Sequence, residues 1–232
     1  MLRSNKIALI TGANRGIGLA MVEALLKDGR TVVWMGVRDI EEGEKVARSF
    51  NCERVKVVYL DVALADSILL AKEIILAKEG RGVDILVNNA GVLFRGNVLQ
   101  AKTEEVLASF NINVMGAYHV IRAFVPLMIA QNYGRIVNIS SGWGSFGEGL
   151  KGPFAYSLSK AALNALTLIL SHELPDTVKV NAASPGWVQT RMVDFTGPTT
   201  PKEAAESLLW LTQLPPEGPT GQFFRGNQQI PW

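Results

Sequence analysis

Thr11-Gly12-Ala13-Asn14-Arg15-Gly16-Ile17-Gly18 follows a short apolar run, Ile7 to Ile10, and opens an amphipathic stretch that closes at Lys27 and Asp28-Gly29. An apolar run, a glycine turn and a helical pattern make a strand–turn–helix unit. The glycines permit tight backbone geometry and close approach of another group to the main chain. Their spacing is G-x-x-x-G-x-G, a variant of the G-x-G-x-x-G arrangement.

The same alternation continues outward from this unit. Strands are expected at Thr31 to Met35, Val55 to Leu60, Ile85 to Val87, Arg135 to Ser140 and Val178 to Ala183, with a short seventh at Gly221 to Phe224. Helices are expected at Glu41 to Phe50, Ser67 to Glu79, Phe154 to Leu174 and Lys202 to Leu211. Thr103 to Ile129 reads as one long helix, stopped near Pro126 and Gly134. Near-continuous apolar strands alternating with helices predict a mostly parallel sheet covered on both faces. The expected fold is therefore a doubly wound, Rossmann-like α/β domain of about seven strands, spanning 1–232 without a linker. Ligands in such folds bind beyond the carboxyl ends of the strands. Most of the glycine-rich and polar features of this chain fall at those ends.

Composition narrows the class further. The chain has 232 residues, 48% hydrophobic and 19% charged, with 23 basic and 21 acidic side chains and a net charge of +2. That balance gives no basic footprint for nucleic acid or an anionic membrane surface. No unbroken apolar run reaches the roughly 18 residues of a membrane span. Cys52 is the only cysteine, which suits a reducing compartment, and the cytoplasm is the expectation. His119 and His172 have no second ligand at metal spacing, so no metal site is expected.

The glycine turn points to a dinucleotide. A pyrophosphate can sit against the turn and the free N–H groups of the helix N-terminus. An acid after the second strand would accept the ribose 2′-hydroxyl of NAD. Here that strand end reads Gly36-Val37-Arg38. Arg38, with Arg15 from the turn, suits a 2′-phosphate, because a guanidinium is planar and always charged. NADP(H) is favoured. Asp39 follows directly, and NAD(H) is the alternative.

Tyr156-Ser157-Leu158-Ser159-Lys160 lies in a helical stretch, so Tyr156 and Lys160 share a face. A free phenol titrates near 10, too high for proton transfer at neutrality. An ammonium at about 4 Å attracts a phenolate by roughly 4 kcal/mol at an effective dielectric of ~20. Lys160 is therefore expected to lower the Tyr156 pKa and poise it as a general acid. Ser140-Ser141, at the end of the fifth strand, offers a hydroxyl for a substrate oxygen.

Taken in order, Thr11 to Gly18, Asn88-Asn89-Ala90-Gly91, Asn113, Ser141, Tyr156-x-x-x-Lys160 and Pro185-Gly186 resemble the short-chain dehydrogenase/reductase family over nearly the whole chain. The resemblance implies roles only at the matching positions. Tyr156 would give its proton to the carbonyl oxygen. Lys160 would bind the nicotinamide ribose and lower the tyrosine pKa, and Ser141 would orient the carbonyl. Asn113 would complete the set through a water near Lys160. Asn111 and Ser140 are the rivals of Asn113 and Ser141. For the cofactor, Gly12, Asn14, Arg15, Gly16, Ile17 and Gly18 would cradle the pyrophosphate side. Arg38 would take the 2′-phosphate, Asp61 and Val62 the adenine, and Asn88 and Ala90 the ribose. Pro185, Gly186, Val188 and Thr190 would hold the carboxamide end.

The ending, Gly218 to Trp232, resembles the carbonyl-reductase-like branch, though the chain lacks a long insertion before Tyr156. Its segment 190–201 would be a short substrate lid. Leu93, Phe94, Trp143, Phe146, Phe154, Trp187, Met192 and Phe195 are candidates for an apolar pocket. These readings imply a small-molecule carbonyl or alcohol substrate of apolar character, of no particular size, and a homodimer or homotetramer. The competing readings are an NAD-preferring alcohol dehydrogenase and a non-catalytic dinucleotide-binding regulator.

Overall fold

Strand β1 (Ile7–Thr11) is buried at every position. Ile7 and Leu9 face one layer of core, and Ala8 and Ile10 face the other. That two-residue alternation between two buried faces is why the run is apolar throughout. A computed structural model describes residues 5–232. In chain order the elements after β1 are α1 (Gly16–Leu26), β2 (Val32–Val37), α2 (Ile40–Ser49), β3 (Val55–Tyr59), α3 (Ala65–Glu79), β4 (Ile85–Asn88) and α4 (Thr103–Phe110). A π-helical turn (Asn111–Gly116) then leads into α5 (Ala117–Ala130) and β5 (Gly134–Ile139). The rest are α6 (Phe154–Glu173), β6 (Val178–Ser184), α7 (Pro201–Leu208), β7 (Phe223–Arg225) and β8 (Gln228–Gln229).

The strands form one sheet in the order β3-β2-β1-β4-β5-β6-β7-β8, parallel except for the β7–β8 hairpin. One core layer packs α1, α2 and α7 against the sheet. The other packs α3 and α5, with α6 residues Leu166 and Leu170 at its margin. The strand order reverses between β1 and β4, and a crevice opens there at the carboxyl edge.

Four expectations are corrected. The sheet has an eighth strand, too short and polar for its periodicity to show. The seventh begins at Phe223, because Gly221 (φ +66°) is still in the preceding turn. The long helix is interrupted by the π turn at Asn111–Gly116, and its second part runs past Pro126 to Ala130. Proline inside a helix costs about 3 kcal/mol. Burial of Phe124, Val125 and Met128 around it, each contributing about 1.5–3 kcal/mol, outweighs that. The last helix starts at Pro201 under a Thr200–Glu203 capping box and tightens to 3₁₀ geometry at Leu209–Thr212.

Two helical stretches, Thr103–Ala130 through the π turn and Phe154–Glu173, match a membrane span in length and hydropathy. About half of each is buried against the rest of the protein, which accounts for the apolar character.

Candidate active site

The glycine turn joins β1 to α1. Gly12 (φ +65°) and Gly16 (φ +55°) take left-handed backbone that disfavours side chains. At Gly18 the constraint is space: a Cβ would stand 2.4 Å from the Gly12 carbonyl oxygen and 2.5 Å from Asn89 Nδ2. The N-cap residue Arg15 makes no side-chain cap bond, and the first turn of α1 holds no acid. Its N–H groups and positive dipole end therefore suit a phosphate.

Asn89 fastens this turn. Its Nδ2 donates to the carbonyls of Thr11 (2.9 Å) and Gly12 (3.1 Å), and the backbone N–H groups of Asn89 and Ala90 both donate to Thr11 Oγ1. Asn88 faces into the sheet, where its Nδ2 donates to Asn138 Oδ1 at 2.8 Å. The role of Asn89 in fastening the turn is not read from the sequence, because the side to which each residue at the end of β4 points is set by the pleat.

A cavity of about 1060 Å³ runs along the carboxyl edge of the sheet. It is lined by Gly12, Asn14, Arg15, Gly16 and Ile17 of the turn, by Arg38, Asp61, Val62 and Ala90, and by Pro185, Gly186, Val188 and Thr190. Ser141, Tyr156 and Lys160 line the same cavity. Of the residues expected at the site, Gly18, Asn88 and Asn113 do not reach its wall. Asp39 and Glu42 do reach it, beside Arg38. The Asp39 carboxylate, however, accepts from Glu42 N (2.9 Å) as the N-cap of α2, and Glu42 Oε2 accepts from Asn14 Nδ2 (2.7 Å).

Tyr156 and Lys160 lie on one face of α6, with Lys160 Nζ 5.5 Å from the phenol ring centre. The Ser141 side chain acts to lower the Tyr156 pKa, its Oγ accepts from Trp143 N at 3.2 Å, and Trp143 meets the Tyr156 ring edge-on at 6.1 Å. The structure separates the two serines. Ser140 Oγ is buried and donates to Asn164 Oδ1 at 2.6 Å, whereas Ser141 faces Tyr156. It also separates the two asparagines: Asn111 is exposed and Asn113 is buried. Asn113 Oδ1 accepts from Val92 N (2.8 Å), and its Nδ2 donates to Val92 O and Ser159 Oγ (both 2.9 Å). The side-chain amide is thus taken up by protein partners behind Gly91, where a Cβ would lie 3.2 Å from Asn113 Oδ1 and 3.7 Å from Lys160 Nζ. The π turn, a feature common at functional sites, sits at this point of the helix.

The electrostatics differ from the expected lowering of Tyr156. Burial pushes its pKa up to about 12, against a smaller lowering from the Ser141 hydrogen bond. Burial also brings Lys160 down to about 8. Removing water disfavours the charged form of each group, and that cost dominates both shifts.

Beyond Tyr156 the cavity is walled by Leu93, Phe94, Trp143, Trp187, Met192 and Phe195. Trp143 and Trp187 meet edge-to-face at 5.6 Å. Phe146 is exposed, and Phe154 opens α6 away from the lining. Glu148 and Arg225 also line this end. No sequence motif marked them, since they meet only through the tertiary fold. Among the described residues no group of three or more His, Cys, Asp or Glu side chains is placed to hold a metal ion.

The fold and the site together define a doubly wound α/β protein with a glycine turn and a buried tyrosine–lysine pair in one cavity. The family model for short chain dehydrogenases matches residues 6–200, and the chain belongs to that family and is an oxidoreductase. It is 37% identical to the oxidoreductase UcpA of Salmonella typhimurium over 213 residues, covering 89% of this chain and 78% of the relative. It is 30% identical to the NADPH carbonyl reductase 1 of Mus musculus, with both chains covered in full. Among solved structures, the NADPH-bound carbonyl reductase from chicken fatty liver superposes with a TM-score of 0.88 at 28% identity, covering 98% of this chain and 99% of that one.

Proposed function

We propose that this protein is an NADP(H)-dependent carbonyl reductase that interconverts a carbonyl compound and a secondary alcohol. The observation that carries the reading is the sharing of one cavity by the glycine turn, Arg15, Arg38, Ser141, Tyr156 and Lys160. A turn drawn so tight that a Cβ at Gly18 would meet the Gly12 carbonyl oxygen, and an α1 N-terminus free of side-chain caps, fit a dinucleotide pyrophosphate. Two arginines at the adenosine end fit a 2′-phosphate, and the commitment of Asp39 to the α2 cap agrees with that. The names of the mouse and chicken relatives point the same way.

When bound, the nicotinamide supplies or takes the hydride at the carbonyl carbon. The protein does the rest. Ser141 holds the carbonyl oxygen next to the Tyr156 hydroxyl. Burial keeps Tyr156 protonated, which is the state a proton donor needs as negative charge develops on the substrate oxygen. Lys160, charged below about pH 8, stabilises the phenolate left behind and holds the ribose hydroxyls. Asn113 keeps the Gly91–Val92 wall in place. The apolar and aromatic lining favours an apolar substrate, and segment 190–201 is its lid. The free Cys52 is in keeping with a cytoplasmic location. Exposed Leu107, Leu158 and Ile169 on α4 and α6 are the surface for a homodimer or homotetramer.

The test is a panel of aldehydes and ketones, followed by loss of the reduced-nicotinamide absorbance with NADPH and with NADH. Turnover with NADPH at lower KM than with NADH is expected. No turnover of any carbonyl or alcohol would reject the reading.

A further inference from the structure

Arg225 ends β7 in register with Ser184 at the end of β6, which brings it to the carboxyl edge of the sheet. Its Nη2 donates to Glu148 Oε2 at 2.6 Å. The pair lies directly over Gly142: a Cβ there would stand 2.4 Å from Arg225 Nη2 and 2.4 Å from Glu148 Oε2. Gly142 follows Ser141, and neighbouring Cα atoms are about 3.8 Å apart. The only ion pair among the described residues with both members in the cavity wall therefore stands next to the carbonyl-binding serine.

Partly exposed ion pairs contribute little stability, so stability alone gives no reason for this placement. The chemistry of the guanidinium gives one. It carries five N–H donors, and among the described residues its one hydrogen bond is that to Glu148. Donors remain for an occupant of the cavity. The pair is neutral as a unit, so a substrate carboxylate would meet Glu148 as well as Arg225. An uncharged oxygen would meet a fixed donor at no such cost. In the remaining wall at this end Phe94 offers no donor, and Trp187 Nε1 already donates to Thr196 Oγ1 at 3.3 Å.

We propose that Arg225, held by Glu148, is a specificity-determining residue that donates to a second, uncharged oxygen of the substrate. That oxygen belongs to an ester, ether or keto group two or three bonds from the carbonyl served by Ser141 and Tyr156. The inference rests on the carbonyl-reduction reading for its reaction but not for its binding.

The experiment compares ethyl benzoylacetate, its free carboxylate and butyrophenone on the wild type, Arg225→Met, Arg225→Lys and Glu148→Gln. Two quantities are read: kcat/KM with NADPH, and Kd from tryptophan fluorescence, which needs no turnover. In Arg225→Met the keto ester loses about tenfold or more in both, the scale of a hydrogen bond to a charged donor, while butyrophenone stays within about threefold. Arg225→Lys, which keeps a donor, recovers part of the loss. Glu148→Gln shifts preference toward the carboxylate. Equal losses for ester and ketone would make the pair a scaffold contact and overturn the proposal. Tighter wild-type binding of the carboxylate than of the ester, or no binding of the ester, would also overturn it. If no carbonyl is turned over while the Kd pattern holds, the reaction assignment fails and the role of Arg225 stands.

Discussion

Lys160 Nζ donates to the carbonyl oxygen of Ile139 at 2.8 Å. Ile139 ends β5, and Ser140 and Ser141 follow it, so this bond ties the helix that carries Tyr156 to the strand that delivers the serine. It also holds the ammonium 5.5 Å from the Tyr156 ring centre, inside a wall where both groups are buried. The site therefore pairs a phenol held protonated with a lysine that titrates within reach of neutrality.

A pH limb follows from that lysine. Its pKa is brought down to about 8, so the charge that stabilises a Tyr156 phenolate is present below pH 8 and lost above it. Carbonyl reduction at saturating NADPH should fall as pH rises through about 8. Lys160→Arg, whose charge persists, should move that limb upward at reduced rate. A profile of kcat from pH 6 to 10 checks this, and a flat wild-type profile would contradict the assignment.

The same two groups shape stability against pH. The folded value of Lys160 lies below its unfolded value of 10.5, so between about pH 8 and 10.5 the unfolded chain binds more protons and stability rises with pH. Tyr156 acts in the opposite sense. Its folded value of about 12 lies above 10.0, so its contribution is complete below pH 10 and is lost as pH rises toward 12. Between pH 9 and 11.5 the urea midpoint of wild type should fall relative to that of Tyr156→Phe, since the variant has no phenol to ionise on unfolding.

Tyr156→Phe removes the proton donor and leaves the ring that Trp143 packs against. Turnover should fall roughly 10²- to 10⁴-fold, the usual worth of general acid catalysis. The Kd for NADPH, read by fluorescence titration, should stay within about twofold. Unchanged turnover would remove Tyr156 from the chemistry.

Gly18→Ala places a methyl within 2.4 Å of the Gly12 carbonyl oxygen and against Asn89 Nδ2. Overpacking of this kind costs about 1–3 kcal/mol. The Asn89 clamp on Thr11 and Gly12 should loosen with it. A lower melting temperature and weaker dinucleotide binding are expected together. Calorimetry on the apoprotein and cofactor titration read the two separately.

Arg38→Ala should weaken NADPH binding about tenfold to a hundredfold and leave NADH within about threefold, because only the former has a 2′-phosphate to lose its charge-assisted hydrogen bonds. Competitive titration with both reduced cofactors measures it. An equal loss for the two would mean that Arg38 does not read the phosphate.

The local pattern alone indicated the parallel strands, the glycine turn and the shared face of Tyr156 and Lys160. Alternating runs such as Ile7 to Ile10 and Val178 to Ala183 mark strands buried on both faces. The Gly12–Gly18 spacing marks a turn into a helix, and the i,i+4 spacing of Tyr156 and Lys160 marks a shared face. These features depend on neighbours a few residues apart. What tertiary structure decided depends on neighbours far away in the chain. That Asn89 grips the turn follows from the pleat at the end of β4. Ser140 is given to Asn164, and Ser141 is left for Tyr156, by the seating of α6. The π turn places Asn113 behind Gly91, and β7 brings Arg225 to Gly142. The direction of the Tyr156 shift belongs to this second group. A lysine four residues away is visible in the sequence, but the loss of water that outweighs it exists only once the helix is packed.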